Sequence, residues 1–333
     1  MKTVVALIGA GRIGQEHAKN LASFPDVEVA LVCDPILSAA ERVGPLARST
    51  GVSDSAEEVF SRQDIDAVVI CTPTETHAEM IERAARAKKA VFCEKPVALN
   101  LKRTQQALQV VEESGVPFQI GFQRRFDTGY AEAKRRIEAG SVGRIDQFRA
   151  VGRDPGPPPK EYLAKSGGLF IDQAIHEFDL ARFLAGEVDE VIAWGAVRFS
   201  EDAATAGDVD TSTTLLRFAS GALGVIENSR QAVYGYDIVT EVFGEKGKLV
   251  VHAEPKTPLR HYTKEGSQID HYHFFMDRFG AAFRAELEAF FRCLREGKTP
   301  TPGCEDALES LRIAAAATKS WKEKKSVKIS EVG

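Results

Sequence analysis

The sequence predicts two domains of different class. Residues 1–121 read as an α/β domain built on a parallel, doubly wound sheet, and residues 122–333 as an α+β domain with a mostly antiparallel sheet. Three observations carry this. Short apolar runs alternate with helical stretches as far as Gly121. The first of these runs leads through a glycine-rich turn into a helix. Beyond Gly121 the period-2 segments become longer, and the strand–helix alternation stops.

Val4 to Ile8 is an apolar run of strand length, Gly9-Ala10-Gly11-Arg12-Ile13-Gly14 follows at once, and Gln15 to Ala22 carries a helical pattern. Strand, glycine turn and helix in that order are the context a G-x-G-x-x-G dinucleotide site requires. Gly9 permits the tight turn. Gly11 lets the backbone approach a pyrophosphate lying on the helix N-terminus, and Gly14 lets helix and strand pack closely. The next strand, Val27 to Cys33, ends in Asp34, about 20 residues past the glycines, where a carboxylate accepts hydrogen bonds from the adenine ribose hydroxyls. That carboxylate repels a 2′-phosphate and Pro35 offers no positive charge, so NAD is favoured over NADP. Ala67 to Ile70 is the following strand. It ends in Cys71-Thr72-Pro73-Thr74, and His77 opens the helix after it. Ala90 to Cys93 ends in Glu94-Lys95-Pro96, a helix covers Leu101 to Ser114, and Pro117 to Gly121 is the last strand of the domain. Ligands of such sheets lie outside the carboxyl ends of the strands, which puts Gly9, Asp34, Thr72 and Lys95 along one crevice. A lysine there, before a proline that stiffens the turn, is a candidate catalytic group, although on spacing alone a surface lysine is the simpler reading.

The second domain begins with a helix over Thr128 to Ala139 and a strand over Arg144 to Arg153, then the loop Asp154-Pro155-Gly156-Pro157-Pro158-Pro159. Gly167-Gly168 leads into a helix running to about Leu184. On a 3.6-residue period Asp172, His176 and Asp179 share one stripe. Gln173 and Glu177 lie to one side as a solvent face; Ile171, Ala174, Ile175 and Phe178 lie to the other. The stripe therefore borders an apolar band, where burial and neighbours set pKa values. Alone, it equally fits a packed histidine between solvated aspartates; the cofactor site gives it something to face. Val188 to Phe199 reads as a strand, Asp210 to Phe218 and Ala222 to Ala232 as a hairpin across Ser220-Gly221, and Tyr236 to Phe243 with Lys248 to His252 as another. Two amphipathic helices, Arg278 to Arg295 and Glu305 to Lys322, precede a short strand over Ser326 to Ile329.

With 333 residues the chain is long enough for two cores, and a net charge of -5 without basic clusters points away from nucleic acid and anionic membranes. Five cysteines without a C-x-x-C pair point to reduced thiols and a cytoplasmic location. Met1-Lys2 leads directly into the first strand rather than a signal peptide, and no apolar run is long enough to span a bilayer. His271 and His273 have no further ligand at metal spacing and sit among Tyr272, Phe274 and Phe275, so no metal site is expected. The absence of a Gly-x-Ser-x-Gly elbow, or of a recognisable Cys/His pair, leaves nucleophilic catalysis without support.

Gly9-Ala10-Gly11-Arg12-Ile13-Gly14, Cys93-Glu94-Lys95-Pro96 and Gly167-Gly168-x3-Asp172-x3-His176-x2-Asp179 together resemble the glucose-fructose oxidoreductase / inositol dehydrogenase / rhizopine catabolism (Gfo/Idh/MocA) family, nearly end to end. Gly121 to Asp127, Arg153-Asp154-Pro155, Ser229 to Asp237 and the stretch from His273 into Leu287 are similar to its inositol 2-dehydrogenase branch. The resemblance implies a Rossmann domain followed by an open-faced sheet domain, a homotetramer, and cis geometry in Glu94-Lys95-Pro96. It implies Lys95, Asp172 and His176 as the catalytic set. On the cofactor side it implies Gly9, Gly11, Arg12, Ile13, Gly14, Asp34, Thr72 and Glu94, and on the substrate side Arg125, Asp154 and Tyr236. Gln123 is a position at which several relatives differ.

The expected activity is NAD-dependent oxidation of one secondary alcohol of a cyclic polyol, with myo- or scyllo-inositol as the small-molecule substrate. His176 acts as general base, Asp172 orients it and binds a hydroxyl, and Lys95 holds the reacting oxygen. Oxidation of a pyranose or anhydrosugar by the same residues, and a non-catalytic NAD sensor, are the alternatives.

Overall fold

The computed structural model describes residues 2–333. They divide into two compact units: residues 2–126 with 282–309, and residues 127–281 with 310–333.

The first unit holds a six-stranded parallel sheet: β1 (Thr3–Ile8), β2 (Val27–Cys33), β3 (Val52–Ser53), β4 (Ala67–Ile70), β5 (Ala90–Glu94) and β6 (Phe118–Gly121), in the order β3-β2-β1-β4-β5-β6. Helices α1 (Arg12–Ser23), α2 (Leu37–Ala47), α3 (Ala56–Ser61), α4 (Thr74–Arg86) and α5 (Leu101–Ser114) connect them. With helices on both faces, β1 and β4 are unbroken apolar runs rather than alternating ones. The order reverses direction between β1 and β4, the topological switch point where a crevice opens at the strand ends. Every element expected up to Gly121 is present, and the parallel α/β class holds. Between Pro35 and Asp66 the sequence reading assigns nothing, whereas the chain forms α2, β3 and α3. Pro45 inside α2 and the two-residue length of β3 remove the usual periodic signal.

The single cut after Gly121 differs from the observed division. Residues 282–309 belong with the first unit. Leu287, Phe290 and Phe291 are buried in one apolar cluster with Val5, Leu7, Val29, Val69 and Phe92.

The second unit contains α6 (Thr128–Glu138), β7 (Ile145–Arg153), α7 (Lys160–Leu163), α8 (Leu169–Asp172), α9 (Ile175–Ala185), β8 (Val188–Ala196), α10 (Glu201–Thr205), β9 (Thr211–Phe218), β10 (Leu223–Ser229), β11 (Asp237–Gly244) and β12 (Gly247–Val251). A separate hairpin, β13 (Pro255–Thr263) and β14 (Gly266–His271), precedes the long helices α11 (Phe275–Glu296) and α12 (Cys304–Glu323) and the short strand β15 (Val327–Lys328). The sheet runs β12-β11-β7-β10-β9-β8-β15. Only β7 and β10 pair in parallel, so the sheet is mostly antiparallel as expected. Alternation sets its two faces. Phe148, Ala150, Leu216, Ile226, Ile238 and Val242 point into the core, where α9 covers β7. The other face is open and leaves Trp194, Leu215, Leu223 and Phe243 exposed. There Glu227 on β10 accepts from Arg149 at 3.2 Å and Arg153 at 3.1 Å, both on β7, and Arg153 also reaches Asp237 on β11 at 3.0 Å.

One expected helix is in fact two. The turn at Gln173 (φ -94°, ψ -60°) separates α8 from α9. The expected solvent face is also corrected, because Gln173 is buried and Glu177 is only 1% exposed. Both face the sheet, which offers them partners. Gln173 Nε2 donates to the carbonyls of Gly152 and Ser229, and Asn228 Nδ2 donates to the Glu177 carboxylate at 3.1 Å. A Cβ at position 152 would lie 2.4 Å from Glu177 Oε1, so this strand position needs glycine.

Candidate active site

In the first unit the predicted cofactor residues gather at the carboxyl ends of β1, β2, β4 and β5. Gly9 adopts φ 103°, and a Cβ there would lie 2.6 Å from the Cys71 carbonyl carbon, so no other residue fits. Gly14 packs more tightly still: its Cβ would fall 2.0 Å from the Gly9 oxygen. Gly11 is the opposite case, with no atom within 4 Å of its would-be Cβ. It caps α1, whose first turn has no side-chain cap and no acidic residue. An uncapped helix N-terminus beside bare backbone suits a pyrophosphate. Arg12 and Ile13 form the first residues of that helix. Asp34 fixes the turn, since its Oδ2 accepts from Ala10 N at 2.8 Å and its Oδ1 from Ile36 N at 2.9 Å. Thr72 Oγ1 accepts from Thr76 Oγ1 at 2.8 Å.

Lys95 lies between Glu94, the last residue of β5, and Pro96, and the Lys95-Pro96 bond is cis. His17 Nε2 meets Glu94 Oε1 at 2.8 Å. Behind this pair sits Glu286, 0% exposed, with its two carboxyl oxygens unpartnered among the described residues. Burial, and then the neighbouring Glu94 charge, push the Glu286 carboxyl well above the usual range, so it is neutral. Burial likewise pushes the Cys71 and Cys93 thiols well up, which keeps them un-ionised and inert. His77 is buried too, its Nδ1 2.8 Å from the Pro96 carbonyl and its Nε2 2.7 Å from that of Thr72. Burial pushes its pKa down, against the pull of both carbonyls and Glu94. Arg125 Nη2 donates to Asp306 at 2.8 Å, and Gln123 is buried.

In the second unit Asp172 ends α8 and His176 lies in the first turn of α9; both are partly exposed, while Asp179 is buried and accepts from Ser310 Oγ at 3.3 Å. Tyr162 Oη donates to Asp172 Oδ1 at 2.7 Å, and Arg230 Nη1 donates to Oδ2 at 3.1 Å. Arg230 is 1% exposed, with Asp208 3.8 Å from its Nη2. Asp208 in turn accepts from Leu169 N at 3.0 Å, at the start of α8. A carboxylate that accepts from a phenol on one oxygen and from a buried guanidinium on the other is fixed in one orientation. Asp154 follows β7, its N donating to Ser229 O and its carbonyl accepting from Ala232 N. Tyr236 is buried with its ring edge-on to Phe279. The helix that the sequence opens at His77 begins at Thr74. His17, His77, Tyr162, Arg230 and Glu286 carry no local functional signal, because each meets partners at least five and mostly tens of residues away.

Residues 3–122 match the family model described as oxidoreductase family, NAD-binding Rossmann fold, and residues 134–329 match its companion, the C-terminal alpha/beta domain of the same oxidoreductase family. The chain belongs to the Gfo/Idh/MocA oxidoreductase family. It is 40% identical to the myo-inositol 2-dehydrogenase of Thermotoga maritima, covering 98% of this chain and 99% of that one. It is 41% identical to the scyllo-inositol 2-dehydrogenase (NAD(+)) of Bacillus subtilis, over 95% of this chain and 93% of the relative. The solved structure of scyllo-inositol dehydrogenase from Lactobacillus casei with bound NAD(H) and scyllo-inositol superposes with a TM-score of 0.91 at 28% identity, covering 99% of this chain and 100% of that one. As a Gfo/Idh/MocA member the chain is an oxidoreductase whose cofactor is NAD, and the open glycine turn on α1 fits that cofactor's pyrophosphate. Among the described residues no helix is long and apolar enough to cross a membrane.

Proposed function

We propose that this protein oxidises one secondary alcohol of an unphosphorylated inositol, myo or scyllo, to the keto-inositol with NAD. The observation that carries this reading is the near-complete coverage by relatives named inositol 2-dehydrogenases, joined to an intact Lys95, Asp172 and His176. NAD, when bound, supplies the acceptor for the carbinol hydride. His176 takes the hydroxyl proton, because a neutral imidazole titrates near working pH. Asp172, fixed by Tyr162 and Arg230, accepts a hydrogen bond from a ring hydroxyl and orients the base. Lys95 holds the reacting oxygen and stabilises alkoxide character as the proton leaves.

Gly9, Gly11, Arg12, Ile13, Gly14, Asp34, Thr72 and Glu94 are the proposed cofactor residues, and Arg125, Asp154 and Tyr236 take the far hydroxyls. We also read the chain as a cytoplasmic homotetramer. Five free thiols suit a reducing compartment, and the exposed Trp194, Leu215 and Leu223 suit self-association; a monomer mass by light scattering would remove the tetramer.

Steady-state kinetics over inositol isomers, glucose and inositol phosphates, each with NAD and NADP, test the reading. Free inositols should give the highest kcat/KM, because a hydrogen-bonding site leaves its own polar groups unpaired when a hydroxyl is missing. A phosphorylated sugar preferred over every free polyol overturns the substrate and leaves the oxidoreductase standing. NAD should be preferred, and Asp34→Ala should weaken NAD and relax discrimination against NADP. That side chain both fixes the Ala10 turn and repels a 2′-phosphate. Equal kcat/KM for the two cofactors in the parent chain would contradict the role given to Asp34.

A further inference from the structure

Lys95 is held by its neighbours. Its long side chain has many rotamers, so the position of its ammonium depends on where the short turn Glu94-Lys95-Pro96 is fixed. We propose that His17 and His77 are positioning residues for Lys95, the first fixing the residue before it and the second the residue after it. The proposal rests on the catalytic reading of Lys95 given above.

The two imidazoles come from different helices. His17, on α1, is 0% exposed and binds the Glu94 carboxylate at 2.8 Å. Its ring is locked edge-on between Phe92 at 5.3 Å and Phe283 at 5.8 Å. The second Glu94 oxygen lies against Gly121, where a Cβ would stand 3.1 Å from it. Glu94 is thus confined on both sides, by the dinucleotide helix and by β6. His77, on α4, is 2% exposed and lies between the carbonyls of Pro96 and Thr72, 2.8 and 2.7 Å away; its one N–H donates to one of them while the ring packs against the other. It ties the Lys95 turn to the loop after β4. Water cannot compete for contacts this deeply buried, so each holds its loop in one place.

His17, Glu94 and Glu286 present ligand atoms within 4.8 Å of one another, which raises the alternative of a buried cation. The 2.8 Å separation of His17 Nε2 and Glu94 Oε1 argues for a shared proton instead. Two ligands about 2.1 Å from one tetrahedral ion stand roughly 3.4 Å apart.

A double-mutant cycle tests the proposal. His17→Leu and His77→Leu, with His17→Gln and His77→Gln as conservative versions that also serve if a leucine variant fails to fold, are each made in the parent and in Lys95→Ala. Cooperative thermal unfolding and NAD titration establish that each protein is folded and binds cofactor. Displacing a catalytic group by about 1 Å costs up to roughly 10²-fold. In the parent background each leucine variant should therefore lose about 10- to 100-fold in kcat, with KM for NAD within about threefold and partial recovery in the glutamine version. In the Lys95→Ala background the same substitutions should cost less than about threefold, because residues acting as a unit are non-additive. Equal losses in both backgrounds, or parental kcat in the histidine variants, overturn the positioning role and leave Lys95 catalytic. Parental kcat in Lys95→Ala itself removes Lys95 from the chemistry, and the positioning role with it.

Discussion

His176→Ala should turn over about 10²–10⁴ times more slowly than the parent while binding NAD about as well, and Lys95→Ala should lose at least as much. The loss is that of a positioned proton acceptor. Alanine is a good helix former, so α9 should keep its start at Ile175. Most of its neighbours in that helix, among them Glu177, Phe178 and Asp179, are buried and hold the helix without help from position 176. The partly exposed histidine thus gives up little packing when removed. The measurement is single-turnover NADH formation with a carbinol-deuterated inositol, so that a kinetic isotope effect confirms that chemistry limits the rate. Near-parental turnover under that condition would move proton abstraction to another group.

The second large effect is on stability. Above about pH 4.3 the parent should lose stability as the pH rises, by up to about 1.4 kcal/mol per pH unit from Glu286 alone, until the pH reaches its raised folded-state pKa. In the unfolded chain this carboxyl ionises near pH 4.3. In the folded chain it stays protonated, so above about pH 4.3 the native state binds one proton more and each rise in pH favours unfolding. The groups facing it are Glu94 from β5, His17 from α1 and Cys71 at the end of β4, while Gln119 from β6 donates to its backbone carbonyl. Glu286→Gln keeps the shape and removes the ionisation. Its unfolding midpoint relative to the parent should rise steadily with pH. Parallel curves for the two proteins from pH 5 to 8 would mean that the carboxyl is charged where it sits.

What the sequence revealed follows from how local each feature is. The glycine turn and Asp34 were legible because tight turns and close approaches restrict single positions whose chemistry is contiguous. Gly9, Gly14 and Asp34 all stand where the pattern requires. Spacing also singled out Asp172 and His176. The structure corrects their surroundings: periodicity assigns polar side chains to solvent, whereas Gln173 and Glu177 meet hydrogen-bonding groups on β7 and β10. The break at Gln173 then shifted the phase of the helix. The hairpin β13–β14 escaped detection since nearly all of its residues are exposed and no face is selected. Arg230 clamps Asp172 from 58 residues away, a pairing that no local pattern encodes.

The division of the chain bears on how the protein is made. The first unit is interrupted by 155 residues, from Asp127 to Ala281, before its last segment, 282–309, is added. A ribosome therefore releases all six strands of the parallel sheet long before the segment that bears Leu287, Phe290 and Phe291. During that interval the apolar surface these three residues cover has no native partner. A gene fragment ending at Phe126 would encode every residue of the glycine turn and still yield a sheet with part of its core missing. An isolated NAD-binding module would have to carry residues 282–309 joined to Phe126 by a new linker.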